Sequence, residues 1–180
     1  NILAAIATAY VQGMRYDDIR AGLLSFFPSP SLTPGRLNLV RIGNGRVLVD
    51  YAHNPAAISG LIEFISGLDA NRRIGIITAP GDRRDEDLLT VGRISSRLDH
   101  VVVRDDKYRR GRAPGEISRI IAEGLREAGM PEEHIDVVYD EKEALEHAMS
   151  YMKDNDLIFI LADDVPAVLE QVRQLSTDKA

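Results

Sequence analysis

The chain has 180 residues, 44% hydrophobic and 28% charged, with a formal net charge of −6. That is a globular rather than a disordered composition, with residues enough for a sizeable core, and its acidic balance argues against a whole-surface nucleic-acid binder. It has no cysteine, which excludes disulfides, thiolate metal sites and cysteine nucleophiles and fits a reducing cytoplasm.

The first residues are helical in pattern: 2–12 are rich in Ala and Ile, and Gly13 is placed to stop a helix. A second helix is expected over 16–26, opened by Asp17 and Asp18 near the positive end of its dipole. Residues 27–35 then hold three of the eight prolines, which bars a continued helix or a central strand and marks a linker. Residues 1–34 are therefore expected to be the helical tail of a preceding domain plus its linker, and 35–180 a separate domain. The chain starts within a helical pattern and without Met, so a piece of a longer protein is expected. It shows no secretory leader, and its apolar runs fall short of the ~20 residues a bilayer span needs. The expected location is cytoplasmic, with no membrane partner.

Beyond the linker the pattern alternates. Strands are expected at 37–42 and 46–50 around Gly43-Asn44-Gly45, a hairpin signal. Further strands fall at 74–78, 100–103, 135–138 and 157–161, with helices over 56–67, 86–98, 114–128, 142–152 and 165–175. Short apolar strands alternating with amphipathic helices predict an α/β fold: a Rossmann-like, doubly wound, mostly parallel sheet of about six strands, with helices on both faces. Two helices precede it.

Ligands of such sheets bind at the carboxyl ends of the strands. Charged or imidazole groups follow four strands here: Asp50 to Asn54, Asp82 to Asp85, Arg104 to Arg112, and Asp163 with Asp164. Each alone reads as a helix cap or a solvated loop; their recurrence on one edge points to a shared site. In 49–55 an apolar strand ends in Asp50, and Pro55 suits the first turn of a helix. Asp50 suits ribose hydroxyls, and His53 suits phosphate or base near a helix N-terminus. Capping by His53 or Asn54 is the competing account.

Several of these segments resemble the Mur ligase superfamily. Asn1-Ile2-Leu3-Ala4-Ala5 is similar to the helix ending its central ATPase domain, and Pro34-Gly35-Arg36 to its linker. Asp50-Tyr51-Ala52-His53-Asn54-Pro55 matches its Asp-x-Ala-His-Asn/Thr-Pro motif, and Pro80-Gly81-Asp82-Arg83 resembles its Gly-Gly-Asp-Arg segment. The resemblance implies the carboxy-terminal lobe of a ligase that uses ATP to make an acyl phosphate, which an amine attacks. It implies Arg36 and Asp50 at the nucleotide, joined by His53 and Asn54, with little part in folding for Arg36 and Asp50.

Asn54 to Ala57 and Arg110 to Glu116 look most like the branch that attaches arginine to the β-carboxylate of a polyaspartate backbone. An arginine substrate calls for acids, and the polymer for cations, so Asp82, Arg83, Asp106 and Arg109 are the expected substrate-binding set. No catalytic residue is expected in this fragment. It has no phosphate loop, and Mg2+ is expected in the missing central domain. His100, His134 and His147 show no ligand spacing, so no metal is expected on them. The implied partners are ATP, the amino-acid or polyaspartate substrate, and the missing central and N-terminal domains; homo-oligomerisation is left open. A muramoyl-peptide or folylpolyglutamate ligase lobe, or a non-catalytic nucleotide- or partner-binding domain, are the alternatives.

Overall fold

A computed structural model describes residues 1–27 and 29–178. Pro28 of the expected linker and the last two residues of the expected second domain lie outside them. Two helices come first, α1 (Ile2–Val11) and α2 (Tyr16–Ser25), and neither carries a buried residue. The hairpin β1 (Asn38–Ile42) and β2 (Gly45–Asp50) follows, then α3 (Pro55–Ser66), β3 (Arg73–Ile77), α4 (Asp85–Ser95) and β4 (His100–Val103). The chain continues with α5 (Glu116–Glu127), a single 3-10 turn (Glu132–His134), β5 (Ile135–Val137), α6 (Glu141–Ser150), β6 (Leu157–Leu161) and α7 (Val165–Asp178).

The six strands lie in the order β1-β2-β6-β3-β4-β5, with β1 antiparallel to β2 and every other pair parallel. The predicted α/β class, the mostly parallel sheet and the two leading helices are all present. Strand β1 starts one residue later than predicted. Leu37 has a φ of 51°, a left-handed conformation that cannot continue a ladder.

Both faces of the sheet are covered, because β6 is apolar at every position and β3 is so after Arg73. In β6 the side chains of Leu157, Phe159 and Leu161 join the core under α3, α4 and α5. Ile158 and Ile160 join the opposite core under α6 and α7. Helix α5 shows the sequence logic: Ile117, Ile120, Ile121 and Leu125 recur at helical spacing and all are buried. It packs on α4 through two glycines. A Cβ on Gly92 would sit 2.1 Å from the Ile121 carbonyl oxygen, and one on Gly124 would sit 2.2 Å from that of Leu89.

Candidate functional site

The linker is held in place by two side chains of the hairpin. Asn38 is only 1% exposed; its Oδ1 accepts from the Gly35 amide at 2.6 Å, and its Nδ2 donates to the Thr33 and Arg36 carbonyls. Asp50, at the end of β2, accepts from the Leu37 amide at 2.9 Å and from the Ala52 amide at 2.8 Å. Arg36 is thus clamped on both sides through the backbone, and its guanidinium lies 5.7 Å from the centroid of the Tyr51 ring. These two bonds give Asp50 a structural task beside the one expected of it, since losing them would orphan backbone N–H groups.

The next loop follows from its sequence. Pro55 occupies the first turn of α3, and Asn54 caps it by accepting from the Ala57 amide at 2.9 Å. His53 Nδ1 lies 3.1 Å from the Tyr51 carbonyl oxygen. A carbonyl can only accept, so Nδ1 carries the hydrogen and Nε2 of the neutral ring is left as an acceptor. Arg36, Asp50, His53 and Asn54 together line one cavity of about 450 Å³, closed on its other side by Gly60, Leu61 and Phe64 of α3.

A second and larger cavity, about 640 Å³, opens between the loops after β4 and β6 and the start of α6. Its organiser is Arg104, 1% exposed at the end of β4. The guanidinium donates to Asp163 at 2.8 Å, to Glu141 at 2.6 Å and to the Leu161 carbonyl at 2.7 Å. Glu141 also accepts from the Asp163 and Asp164 amides. Asp105, also on the lining, is engaged by the Gly115 and Ser118 amides at the start of α5, from which it accepts. Asp106 remains at the wall: burial and then the neighbouring Asp163 push its carboxyl up to about 6. A small cavity of about 80 Å³ joins the two regions, lined by His53, Thr78, Asp106, Tyr108, Arg110 and Asp163 among others.

Of the expected substrate set, Asp106 and Arg109 both line the large cavity. Asp82 and Arg83, in the loop after β3, line none of the three. That loop has another task. A Cβ on Gly81 would fall 2.0 Å from the Arg109 carbonyl oxygen, so glycine is what lets the loops after β3 and β4 touch. Arg112 closes the seam by donating to the Gly81 and Arg83 carbonyls, and it pairs with Asp85 and Glu116. Arg84 pairs with Asp87 on the surface. Glu141 and Asn38 carry no role legible in the sequence, and Arg104 was marked only as one of the charges that follow β4. The one available signal was the position of Arg104 directly after three buried valines.

Among the described residues no group of three or more His, Cys, Asp or Glu is arranged to hold a metal ion. No helix among them is long and apolar enough to cross a membrane.

Residues 35–163 match the family model for the Mur ligase glutamate ligase domain. The chain is 37% identical over 174 residues to the cyanophycin synthetase of Nostoc sp., a match covering 96% of this chain and 19% of that protein's length. It is 31% identical over 162 residues to the UDP-N-acetylmuramoyl-L-alanyl-D-glutamate--2,6-diaminopimelate ligase of Alkaliphilus metalliredigens, covering 89% of this chain and 31% of that one. Among solved structures, E. coli FolC in complex with ADP superposes with a TM-score of 0.69 at 21% identity, over 98% of this chain and 39% of that one. At that identity it shows a shared fold. With a family match spanning most of the chain, over the very segments that build the three cavities, the chain belongs to the Mur ligase family.

Proposed function

We propose that this chain is the carboxy-terminal lobe of an ATP-dependent ligase that forms an amide bond by attack of an amine on an acyl phosphate. The observation that carries it is the gathering of Arg36, Asp50, His53 and Asn54 around one cavity at the carboxyl edge of the sheet, directly beside the charged cavity after β4 and β6. The donor set suits an anionic nucleotide. Arg36 presents a guanidinium on an exposed rim, His53 keeps Nε2 for a hydroxyl or amino donor, and the amino end of α3 adds partial positive charge.

ATP supplies the phosphoryl group that activates the carboxylate, with Mg2+ and the phosphate loop belonging to the central domain. This lobe covers the nucleotide, excludes water as it closes, and holds the amine in line with the activated carbonyl. Arg36 sits where the lobe joins what precedes it, so closure and nucleotide contact are coupled. Helices α1 and α2 expose Leu3, Tyr10, Val11 and Leu24, apolar side chains that suit packing against the central domain. The setting is cytoplasmic.

The amine favoured by the 37% identity to cyanophycin synthetase is arginine, added to the β-carboxylate of a polyaspartate backbone. Asp106 would face the reacting α-amino group, and Arg109 the polymer carboxylates. The resemblance to a diaminopimelate ligase and to FolC supports a muramoyl-peptide or folylpolyglutamate ligase as the second reading. ADP release by the full-length enzyme distinguishes these, using a polyaspartate primer, a muramoyl peptide or a folate with arginine, diaminopimelate or glutamate. Release that requires arginine and adds mass to the primer is the expected result. Dependence on another pair would keep the ligase class and replace the substrate; no release with any pair would overturn the proposal.

A further inference from the structure

Asp106, in the loop after β4, and Asp163, in the loop after β6, meet at the carboxyl edge as two acids side by side. Asp106 is only 6% exposed, and the negative charge of Asp163 adds to burial in raising its carboxyl to about 6. Their environments differ. Asp163 Oδ2 accepts from Arg104 at 2.8 Å and from the Lys107 amide at 2.9 Å. Asp106 Oδ1 accepts from the Tyr108 amide at 2.6 Å. The compensating cation therefore sits on Asp163 rather than on Asp106.

The pair also occupies a particular place. Both acids line the large charged cavity and the small one that reaches His53. The small cavity has a further wall in Thr78, whose Oγ1 is buried without a partner. The pair is thus the partition between the two regions that the proposed reaction must bring together, the amine side and the nucleotide side.

We propose that Asp106 is the general base that removes a proton from the incoming ammonium group, a step that rests on the ligase function proposed above. One ammonium N–H bond breaks and its proton passes to the Asp106 carboxylate. The freed nitrogen lone pair forms the C–N bond at the acyl-phosphate carbonyl, and the C–O bond to phosphate breaks with its electron pair leaving on phosphate. The second nitrogen proton departs with the released phosphate, and Asp106 returns its own to solvent. A base whose carboxyl titrates at about 6 is ionised over part of its population near neutrality, yet basic enough to accept a proton. Arg104 from the end of β4, Asp163 from the loop after β6, Glu141 from α6 and His53 from the loop after β2 face this position, together with Lys107 and Arg110 of its own loop.

The test is Asp106→Asn in the full-length enzyme, assayed with the amine and carboxylate identified by ADP release and, separately, with hydroxylamine in place of the amine. Hydroxylamine is already unprotonated at neutral pH and needs no base, so hydroxamate formation reports folding, nucleotide binding and activation alone. The expected result is a fall in kcat with the natural amine of about 100-fold or more, KM little changed, and hydroxamate formed at the wild-type rate. The wild type should also lose kcat as pH falls through about 6, a limb absent from the variant. A raised KM with unchanged kcat would overturn the proposal by making Asp106 a cation seat, and an equal loss with hydroxylamine would overturn it by placing the defect elsewhere. A wild type that makes neither ADP nor hydroxamate would sink the ligase function itself, an outcome distinct from both.

Discussion

The two edges of the sheet both carry ionisable groups and use them in opposite ways. At the amino edge the buried and half-buried ones are matched. Asp156, fully buried at the start of β6, accepts from Arg72 and from the Lys153 amide, and Arg72 also donates to the Tyr151 carbonyl. Arg73 donates to the Ile65 and Leu68 carbonyls at the end of α3, where a cation meets the negative end of the helix dipole. Asp136 takes one hydrogen bond each from His100 and His147, both at 2.8 Å. At the carboxyl edge, by contrast, Asp106 is set against Asp163, and the buried Arg104 is left to hold Asp163 and Glu141 together. Like charges in contact cost stability. Charge density does not distinguish a site from a scaffold in this fold; an arrangement that works against stability does.

Substitutions at the two edges sharpen that contrast. The largest effect is expected from Arg104→Ala, which strands Asp163 and Glu141 in a buried setting. It should cost about 3–5 kcal/mol, read as a drop in the urea midpoint with an unchanged m-value. A loss under about 1 kcal/mol would mean that Arg104 does not organise this edge. Asp50→Asn comes next. The amide keeps one acceptor oxygen, so either the Leu37 or the Ala52 amide loses its partner, at about 1–3 kcal/mol. The same variant should raise the KM for ATP in the full-length enzyme; a stability loss with no kinetic change would leave Asp50 as a clamp alone.

The smallest effect belongs to Asp136→Asn at the amino edge, and it depends on pH. Burial works to raise the Asp136 carboxyl, but hydrogen bonds from His100 and His147 outweigh it and hold the group below its ordinary value. A depressed folded-state pKa contributes stability above the unfolded value, about 3.9 for Asp, and that stability is lost as pH falls through the folded value. Replacing Asp136 should therefore lower Tm slightly at neutral pH and flatten the loss of Tm below about pH 4. Parallel Tm curves for the two proteins would mean that the two histidines contribute nothing through this acid.

Much of the fold could be read in order along the chain. Unbroken apolar runs such as Leu157 to Leu161 can only be strands covered on both faces, and the stripe of Ile117, Ile120, Ile121 and Leu125 can only be a helix lying on a sheet. The boundaries that moved did so where backbone geometry intervenes, as at Leu37. The residues that line the cavity beside α3 were legible because they fall within one short stretch, 50–55, and one linker. The cavity after β4 and β6 was less so. Its parts are far apart in sequence: the strand-end position of Arg104, Asp106 and Asp163 marked their edge, but nothing local paired Arg104 with Asp163 or brought in Glu141.

The sequence by itself thus determined the elements, their layering and the edge on which polar loops gather, because periodicity and capping are local properties of the chain. Only the tertiary structure decided which charges are partners. It put Arg112 and Gly81 to work joining loops, turned Asp105 toward the start of α5, and left Asp106 against Asp163. The physical reason is that ion pairing and burial depend on distances between segments that parallel strand order brings together, and the crossover β2-β6-β3 sets those distances only when the sheet is assembled.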